Sequence, residues 1–159
     1  MALEPEDLAD LVRRTVAHLG DFPLGWRDRV GGSTELRSGA KLVDTDECEV
    51  WLLCWPQGTN VSPHDHGASA GAFALVAGAL TELRWQDGRR VEQALAPGSV
   101  VGIPRGVVHD VISPEGLAYS VHAYSPPLAT MSFYDQDGRG VLRTESVEDT
   151  SSEFDLAYL

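Results

Sequence analysis

From Lys41 onward the chain is built of short apolar runs separated by turn residues, and this pattern limits the folds it can adopt. Eight such runs lie between residues 41 and 135. Short runs bounded by Gly, Pro and Asp are typical of strands in a β-sandwich or small β-barrel. The Asp87-Gly88 dipeptide between two runs favours the positive φ of a tight hairpin turn. The sequence therefore predicts an all-β barrel at about residues 40–145.

The first forty residues have a different pattern. Apolar residues recur at helical spacing between Pro5 and Leu19, with Pro5 suited to the first turn and Gly20 to the end of a helix. This predicts one amphipathic N-terminal helix at about residues 5–19. Residues 21–40 hold Gly, Pro and Ser without a sustained period, which indicates a connector that can include a short helical piece.

Length and composition favour one domain. The chain has 159 residues, of which 43% are hydrophobic, enough for a single core. We expect a single domain covering residues 1–159, made of the helix, the barrel and a tail at 146–159. The tail begins acidic and ends apolar, so its middle is expected to be mobile and residues 154–159 to dock.

The charge balance excludes some partners. With 24 Asp and Glu against 12 Lys and Arg, the net charge of −12 repels phosphate backbones and anionic lipid, so we expect neither nucleic acid nor membrane partners. The N-terminal segment lacks the basic and apolar pattern of a secretory signal, which predicts a cytoplasmic protein. Cys48 and Cys54 are too few for a disulfide framework, and we expect reduced thiols, with Cys54 in a strand.

The strongest functional signal is a pair of histidines in the segment PHDHG. His64 and His66 are two residues apart, so on a strand both side chains point to the same face and their ring nitrogens can converge on one metal ion. Such a pair on its own could also be two solvated surface histidines. The residues around it favour the metal site.

Those residues resemble the two sequence motifs of the cupin superfamily. Eight motif positions stand at the expected spacing: Gly58, His64, His66, Gly78, Gly98, Pro104, Gly106 and His109. Ser113 replaces the final Asn of the second motif. The resemblance implies a cupin small β-barrel, or jelly roll, that binds a metal through His64, His66 and His109.

The first cupin motif also contains a Glu, which this chain lacks. Ala70 and Gly71 stand where that carboxylate is expected, so the implied site is all-histidine. Three neutral imidazoles leave the +2 charge of a metal uncompensated and roughly three octahedral positions open, which suits an anionic substrate together with O2. Fe(II) fits this demand best. Zinc, which also accepts three histidines and generates hydroxide, remains an alternative.

Between about residues 40 and 135 the chain resembles the cysteine dioxygenase type I family, the three-histidine iron cupins that oxidise thiols. The likeness is carried by CW ahead of PHDHG, then VHDV and SVHAYSPP, and Gly71 indicates a bacterial-type member for the reason given below. The resemblance implies a thiol dioxygenase that uses non-haem Fe(II) and O2 to convert a small thiol, first of all L-cysteine, to its sulfinic acid. It implies the same three iron ligands as the cupin spacing.

The same resemblance singles out a second group of polar residues. Ser120, His122 and Tyr124 alternate along one strand, so all three lie on one face and can form a hydrogen-bonded relay. In the family this stretch is catalytic, with the Tyr124 hydroxyl near the iron, where it can donate to bound oxygen or hold the substrate carboxylate. Some members crosslink this tyrosine to a Cys whose position is Gly71 here, so Tyr124 is expected to be uncrosslinked.

The cation that binds the substrate carboxylate is harder to place. A gapless comparison with the family puts Ala40 at the position of the arginine that binds the substrate carboxylate. If the gap is shifted once, Arg37 takes that position. A carboxylate gains a charge-assisted, often bidentate, hydrogen bond from Arg. Arg37 is therefore the predicted substrate-binding residue. The remaining candidates are Lys41, Arg84, Arg105 and Arg143.

Three other functions stay open at this stage. Relatives that act on 3-mercaptopropionate lack the family arginine, so another small-thiol dioxygenase is the first alternative. A cupin that binds a metal or small molecule without turnover is the second, and a metal-dependent isomerase or hydrolase on the same triad is the third. The sequence does not predict an oligomeric state.

Overall fold

The structure is a computed structural model that describes residues 1–22, 25–30, 35–136 and 142–149. Within these ranges the chain forms one α-helix, α1 (Pro5–Ala17), followed by ten strands. The strands are β1 (Ser38–Asp44), β2 (Glu49–Trp55), β3 (Ala70–Ala77), β4 (Leu80–Gln86), β5 (Arg89–Leu95), β6 (Val100–Ile103), β7 (Val108–Ile112), β8 (Ala118–Ser125), β9 (Thr130–Gln136) and β10 (Leu142–Asp149). No helix in the described ranges is long and apolar enough to cross a membrane.

Helix α1 confirms the predicted N-terminal helix and ends slightly earlier than expected. It begins at Pro5, and the backbone N–H of Glu4 donates to the Asp7 carboxylate at 3.1 Å. The helix ends at Ala17 rather than near Leu19, because the N–H of His18 bonds two successive carbonyls and the chain tightens into a 3-10 turn at Leu19–Asp21. A second 3-10 turn, Arg27–Arg29, is the short helical piece expected in the connector.

The strands form two sides of a barrel, and every strand pair is antiparallel. One side is a five-stranded sheet in the order β1-β2-β8-β3-β6. The other side contains β5-β4-β7 and β10-β9. Single-residue bridges from Asn60 to Ile112, from His64 to His109 and from His64 to Phe133 place the segment after β2 between β7 and β9.

Alternation along β2 separates two buried clusters. Trp51, Leu53 and Trp55 face the barrel interior with Phe73 and other apolar side chains. Val50, Leu52 and Cys54 face the opposite side, where α1 packs against the outer surface of the five-stranded sheet. Cys54 is thus a buried free thiol in a strand, as predicted, and it lies on the face of β2 away from the barrel interior.

The turns explain where the strands begin and end. Asp87 and Gly88 have φ of 50° and 72° and join β4 to β5, which confirms the predicted hairpin. The long apolar run from residue 71 to 85 is two strands, since Gly78 has φ of 85° and any side chain there would overlap the backbone of Leu117 and Ala118. Strand β10 extends to Asp149, four residues beyond the predicted end of the barrel. The predicted docking of residues 154–159 lies outside the described residues.

Candidate metal centre

His64 and His66 do not lie on a regular strand, so the expected strand geometry of this pair is wrong. The backbones of His64 and His109 exchange two hydrogen bonds of 2.9 Å, and the next N–H, that of Asp65, donates to the Ser132 carbonyl at 3.0 Å. His64 is bridged to β7 and β9 at once, because the Tyr134 N–H also donates to the Pro63 carbonyl at 2.9 Å, and these single bridges do not form a continuous ladder. The extended segment still directs both histidines inward.

Asp65, between the two histidines, fixes this irregular segment. Its carboxylate accepts hydrogen bonds from the Tyr134 hydroxyl at 2.6 Å and from the backbone N–H of Gly67 at 2.9 Å. Gly67 has φ of 58°, and a side chain at this position would overlap Thr130. The backbone can therefore turn away immediately after His66 only because residue 67 has no Cβ.

His109 comes from β7, and its ring is oriented by a buried carboxylate. The Nδ1–H of His109 donates to Glu82 Oε2 at 2.9 Å, and Arg84 Nη2 donates to the same oxygen at 3.1 Å. Burial raises the pKa of Glu82, but the hydrogen bond and charge of His109 and the charge of Arg84 outweigh it, so the pKa lies below its ordinary value. A histidine whose Nδ1–H binds an ionised carboxylate presents Nε2 as a strong metal ligand.

The three predicted histidines come together in one cluster. Ligand atoms of His64, His66 and His109 all lie within 4.8 Å of one another, and each residue is 2% exposed. His64 donates its Nδ1–H to the Ser62 carbonyl at 2.7 Å, which leaves its Nε2 facing the cluster, 3.1 Å from Nε2 of His66. Burial, followed by the neighbouring imidazoles, holds the pKa of His64 and His66 well below the ordinary value.

This donor set fits a bound metal ion. Nε2 of His109 and Nδ1 of His66 are buried and make no hydrogen bond with the described protein atoms. Buried nitrogens without partners are unfavourable, and a cation among the three Nε2 atoms would satisfy the lone pair of His109. Neutral imidazoles are also the form that binds a metal. Among the described residues no carboxylate joins the cluster, and Glu82 bonds the far side of His109, in agreement with an all-histidine set.

Ser120, His122 and Tyr124 share one face of β8, as their alternation predicted. His122 Nε2 lies 2.8 Å from Ser120 Oγ, and His122 Nδ1 lies 3.3 Å from the Tyr124 hydroxyl. Phe73 stacks on the His122 ring at 4.8 Å. Burial, with the charges of His109 and Arg37, lowers the pKa of His122 to about 3. The imidazole is therefore neutral at physiological pH and holds a single N–H.

Tyr124 joins this relay to the histidine cluster. Its ring centroid is 4.9 Å from that of His66, and the residue is 2% exposed. Burial, reinforced by the charge of Glu49, raises the pKa of Tyr124, so the hydroxyl keeps its proton. Gly71 pairs with Tyr124 across β3 and β8, and a Cβ at Gly71 would lie 3.3 Å from the tyrosine ring. The position where some relatives have a Cys is thus beside the tyrosine, as the resemblance implied.

Arg37, directly before β1, brings a positive charge to the same interior. Its guanidinium lies over the Trp55 ring, 5.3 Å from the centroid, and its Nη1 atom is buried. Its charge adds to the effects of burial and the other imidazoles in lowering the pKa of His64 and His122. The structure therefore brings Arg37 together with the histidine cluster and the relay, although no sequence period placed it there.

The alternative cations have other partners. Lys41 is 3.4 Å from both Asp44 and Glu49, and Arg84 is held by Glu82 and by the Gly102 carbonyl at 2.8 Å. Arg105 forms an ion pair with Glu4 at 3.0 Å at the protein surface. The side chain of Arg143 lies outside the described residues.

Four carboxylates that are buried in the described structure, those of Glu49, Asp65, Glu82 and Asp110, were not identified from the sequence. Asp110 accepts hydrogen bonds from the backbone N–H groups of Val61, Ser62 and Val111, so it ties the segment before His64 to the strand that carries His109. Alternation places Glu82 on a mostly polar face of β4, with Arg84 and Gln86, so no local pattern indicated that it would be buried against His109. The burial of Asp110 results from hydrogen bonds to a segment 48 residues earlier in the chain, and no local sequence pattern predicts such a contact.

Comparisons with known proteins agree with this architecture. KdgF from Halomonas sp. has a similar structure, with 18% identity, coverage of 61% of this chain and 84% of that chain, and a TM-score of 0.53. A Klebsiella pneumoniae protein with a double-stranded β-helix domain has 13% identity, coverage of 76% and 93%, and a TM-score of 0.55. A cupin superfamily protein from Desulfitobacterium hafniense has 15% identity, coverage of 60% and 83%, and a TM-score of 0.51.

These likenesses establish the fold of the strands, an all-β cupin barrel, as expected from the two motifs. No curated protein matches the chain. The model of one family, cysteine dioxygenase type I, matches residues 34–137, which include the three histidines, the relay on β8 and Arg37. Because this match spans well over half of its length, the chain belongs to the cysteine dioxygenase type I family.

Proposed function

We propose that the protein is a non-haem iron thiol dioxygenase that oxidises a small thiol, with L-cysteine as the first choice, to its sulfinic acid. The observation that carries this proposal is the cluster of three buried histidines, without a ligand carboxylate, in a chain of this family. A neutral ligand set leaves the full charge of the metal to attract an anionic thiolate.

His64, His66 and His109 would hold the metal through their Nε2 atoms. Bound there, Fe(II) would favour the thiolate form of the substrate and activate O2 for transfer of both oxygen atoms to sulfur. The protein contributes a buried site and a fixed approach for the substrate. Glu82 and the Ser62 carbonyl keep the His109 and His64 rings turned inward by holding their Nδ1–H groups.

Arg37 and Tyr124 would position the substrate. The guanidinium of Arg37 supplies the charge for a carboxylate, and its contact with Trp55 limits the directions it can take. The protonated Tyr124 hydroxyl, beside His66, is a hydrogen-bond donor at the edge of the centre. His122 and Ser120 hold that hydroxyl in place from behind.

The test is oxygen consumption by the iron-loaded protein with a panel of thiols that includes cysteine, 3-mercaptopropionate and cysteamine. We expect one O2 consumed per thiol and a product heavier by two oxygen atoms. His64→Ala and His109→Ala should lose the iron and the activity together. Oxygen-independent turnover would instead favour an isomerase or hydrolase, and metal binding without turnover of any thiol would favour a binding protein.

Tyr124→Phe distinguishes the role of the tyrosine from that of the histidines that would bind the metal. Because the lost hydroxyl is not a metal ligand, the variant should keep its iron content while its turnover falls. Iron content and oxygen consumption measured on the same sample distinguish the two effects. A decrease in turnover explained entirely by iron loss would contradict the assigned role.

A further inference from the structure

We propose that Trp55 is a positioning residue that sets the direction of the hydrogen-bond chain through Ser120 and His122. In this direction the Tyr124 hydroxyl is a hydrogen-bond donor toward the metal centre. Trp55 is fully buried on β2, and its Nε1 lies 2.8 Å from Ser120 Oγ. This contact lies behind the relay, on the far side from Tyr124. The inference rests on the proposed function only where it gives the Tyr124 hydroxyl hydrogen a role at the metal centre.

The first step follows from the chemistry of the indole. The Nε1–H of tryptophan can only donate, so in the contact with Trp55 the Ser120 oxygen must accept. The hydroxyl of Ser120 has one hydrogen, which is then free to donate. His122 Nε2, 2.8 Å from the same oxygen, is the acceptor in position to receive it.

The second step follows from the neutrality of His122. A neutral imidazole has one N–H, and if Nε2 accepts from Ser120, that hydrogen is on Nδ1. Nδ1 lies 3.3 Å from the Tyr124 oxygen and donates to it. The tyrosine oxygen therefore accepts from the relay, and its own hydrogen is left for an acceptor on the side of His66 and the metal centre.

Without the indole, the chain can run in the opposite direction. Ser120 could then accept from an Nε2–H of His122, and Nδ1 would accept the hydroxyl hydrogen of Tyr124. In that state the tyrosine presents only its oxygen to the substrate side. The two directions use the same heavy atoms at the same distances. With the indole in place, the opposite direction would make the Ser120 oxygen accept from both neighbours and leave its buried hydrogen without an acceptor, and this cost favours the first direction.

The burial of Trp55 makes this selection rigid. The neighbouring strands place Leu53 opposite Ser120 and Trp55 opposite Ala118, so the indole reaches the serine diagonally within the sheet. The guanidinium of Arg37 lies over the same ring. One side chain thus contacts both the relay and the proposed carboxylate ligand.

The experiment measures the tautomer of His122 directly. Protein labelled with 15N-histidine and loaded with diamagnetic Zn(II) is examined by NMR, in which protonated and unprotonated ring nitrogens have distinct shifts. We expect His122 of the unmodified protein to carry its proton on Nδ1. Trp55→Phe keeps an aromatic ring but removes the donor, and should show a substantial fraction of the Nε2–H form. Trp51→Phe, on the same strand and face, is the matched control and should keep the Nδ1–H form.

The kinetic arm uses the iron-loaded enzyme. Loss of one oriented hydrogen bond should lower kcat of Trp55→Phe by roughly five- to tenfold at unchanged iron content. The NMR result does not depend on turnover, so a failure of the proposed function would leave it intact. An Nε2–H tautomer in the unmodified protein, or an unchanged tautomer in Trp55→Phe, would overturn the inference. If Trp55→Phe does not fold, the tautomer of His122 in the unmodified protein still tests the inference. Ser120→Ala should also remove the preference of His122 for the Nδ1–H form.

Discussion

Arg37 is the proposed substrate-binding residue beside a candidate metal centre made only of histidines. Its guanidinium reaches the barrel interior from the residue before β1 and lies over Trp55. A thiol bound at the three histidines would place a carboxylate on its far end within this interior. Under the proposed function, Arg37 would recognise the substrate and would not be needed to retain the metal.

We expect Arg37→Ala to raise KM for cysteine by about ten- to a hundredfold, because a partly buried charge-assisted hydrogen bond contributes roughly 1.5–3 kcal/mol. KM for cysteamine, which lacks the carboxylate, should change little, and the iron content should not change. Steady-state oxygen consumption with both thiols is the measurement. Arg13→Ala, an exposed arginine of α1 paired with Asp10, is the control. Equal losses for the two thiols would rule out the carboxylate contact.

Glu82 gives a second prediction at this scale. Glu82→Gln keeps the shape of the side chain but removes the charge that holds the Nδ1–H of His109 and that pairs with Arg84. Loss of such an outer carboxylate typically weakens metal binding ten- to a hundredfold, and we expect a loss of about that size. Competition with a chelator measures the metal affinity. Glu92→Gln, an exposed residue on β5, should bind the metal as the unmodified protein does.

Individual residues were predictable where a local rule applied. The face shared by Ser120, His122 and Tyr124 followed from strand alternation, and the three histidines of the cluster followed from motif spacing. Arg37 required the resemblance and a shifted gap, since no period marks a residue in a connector. Asp110 was not predictable, because its role arises from contacts with residues distant in the chain.

The elements of the barrel followed from short-range signals, and the exceptions are informative. The turn at Asp87-Gly88 requires positive φ at both residues, and an Asp-Gly dipeptide predicts such a turn. The pair His64 and His66 was expected on a strand, yet His64 makes single bridges to β7 and β9 at once. Alternation alone cannot detect these bridges, because both partner strands come from later in the chain.

The turn after His66 leads to a prediction for Gly67. Gly67→Ala should lower the free energy of unfolding by about 1–3 kcal/mol, because the residue has positive φ and its Cβ would overlap Thr130. Urea unfolding measures the change. Gly58→Ala is the matched control: Gly58 has φ of 81°, but a Cβ there meets no atom within 4 Å. The loss at Gly67 should exceed that at Gly58, and equal losses would show that backbone strain alone is responsible.

For the whole molecule, the candidate metal centre is also a joint between distant parts of the chain. Two of the candidate metal-binding histidines come from the segment between β2 and β3, and the third comes from β7. A metal ion that binds only the folded state stabilises it in proportion to the logarithm of the metal concentration. Metal binding should therefore be visible in the stability of the entire barrel.

We expect addition of Fe(II) under anaerobic conditions, at a hundred times its Kd, to stabilise the protein by about 2.7 kcal/mol and to raise Tm by roughly 5–11 °C. Thermal unfolding followed by circular dichroism, with and without metal, is the measurement. His109→Ala removes one ligand and should abolish the shift. An equal shift in that variant would locate the stabilising ion elsewhere.

The place of β8 in the sheet has a consequence for motion. It is the middle strand of five, paired with β2 on one side and β3 on the other along most of its length. Outer strands such as β1 can open without disturbing it, whereas β8 is released only when the sheet as a whole unfolds. In deuterated water, the amide hydrogens of Ser120, His122 and Tyr124 should thus exchange among the slowest, and those of β1 much faster. The distances within the relay would persist while the edges of the barrel fluctuate.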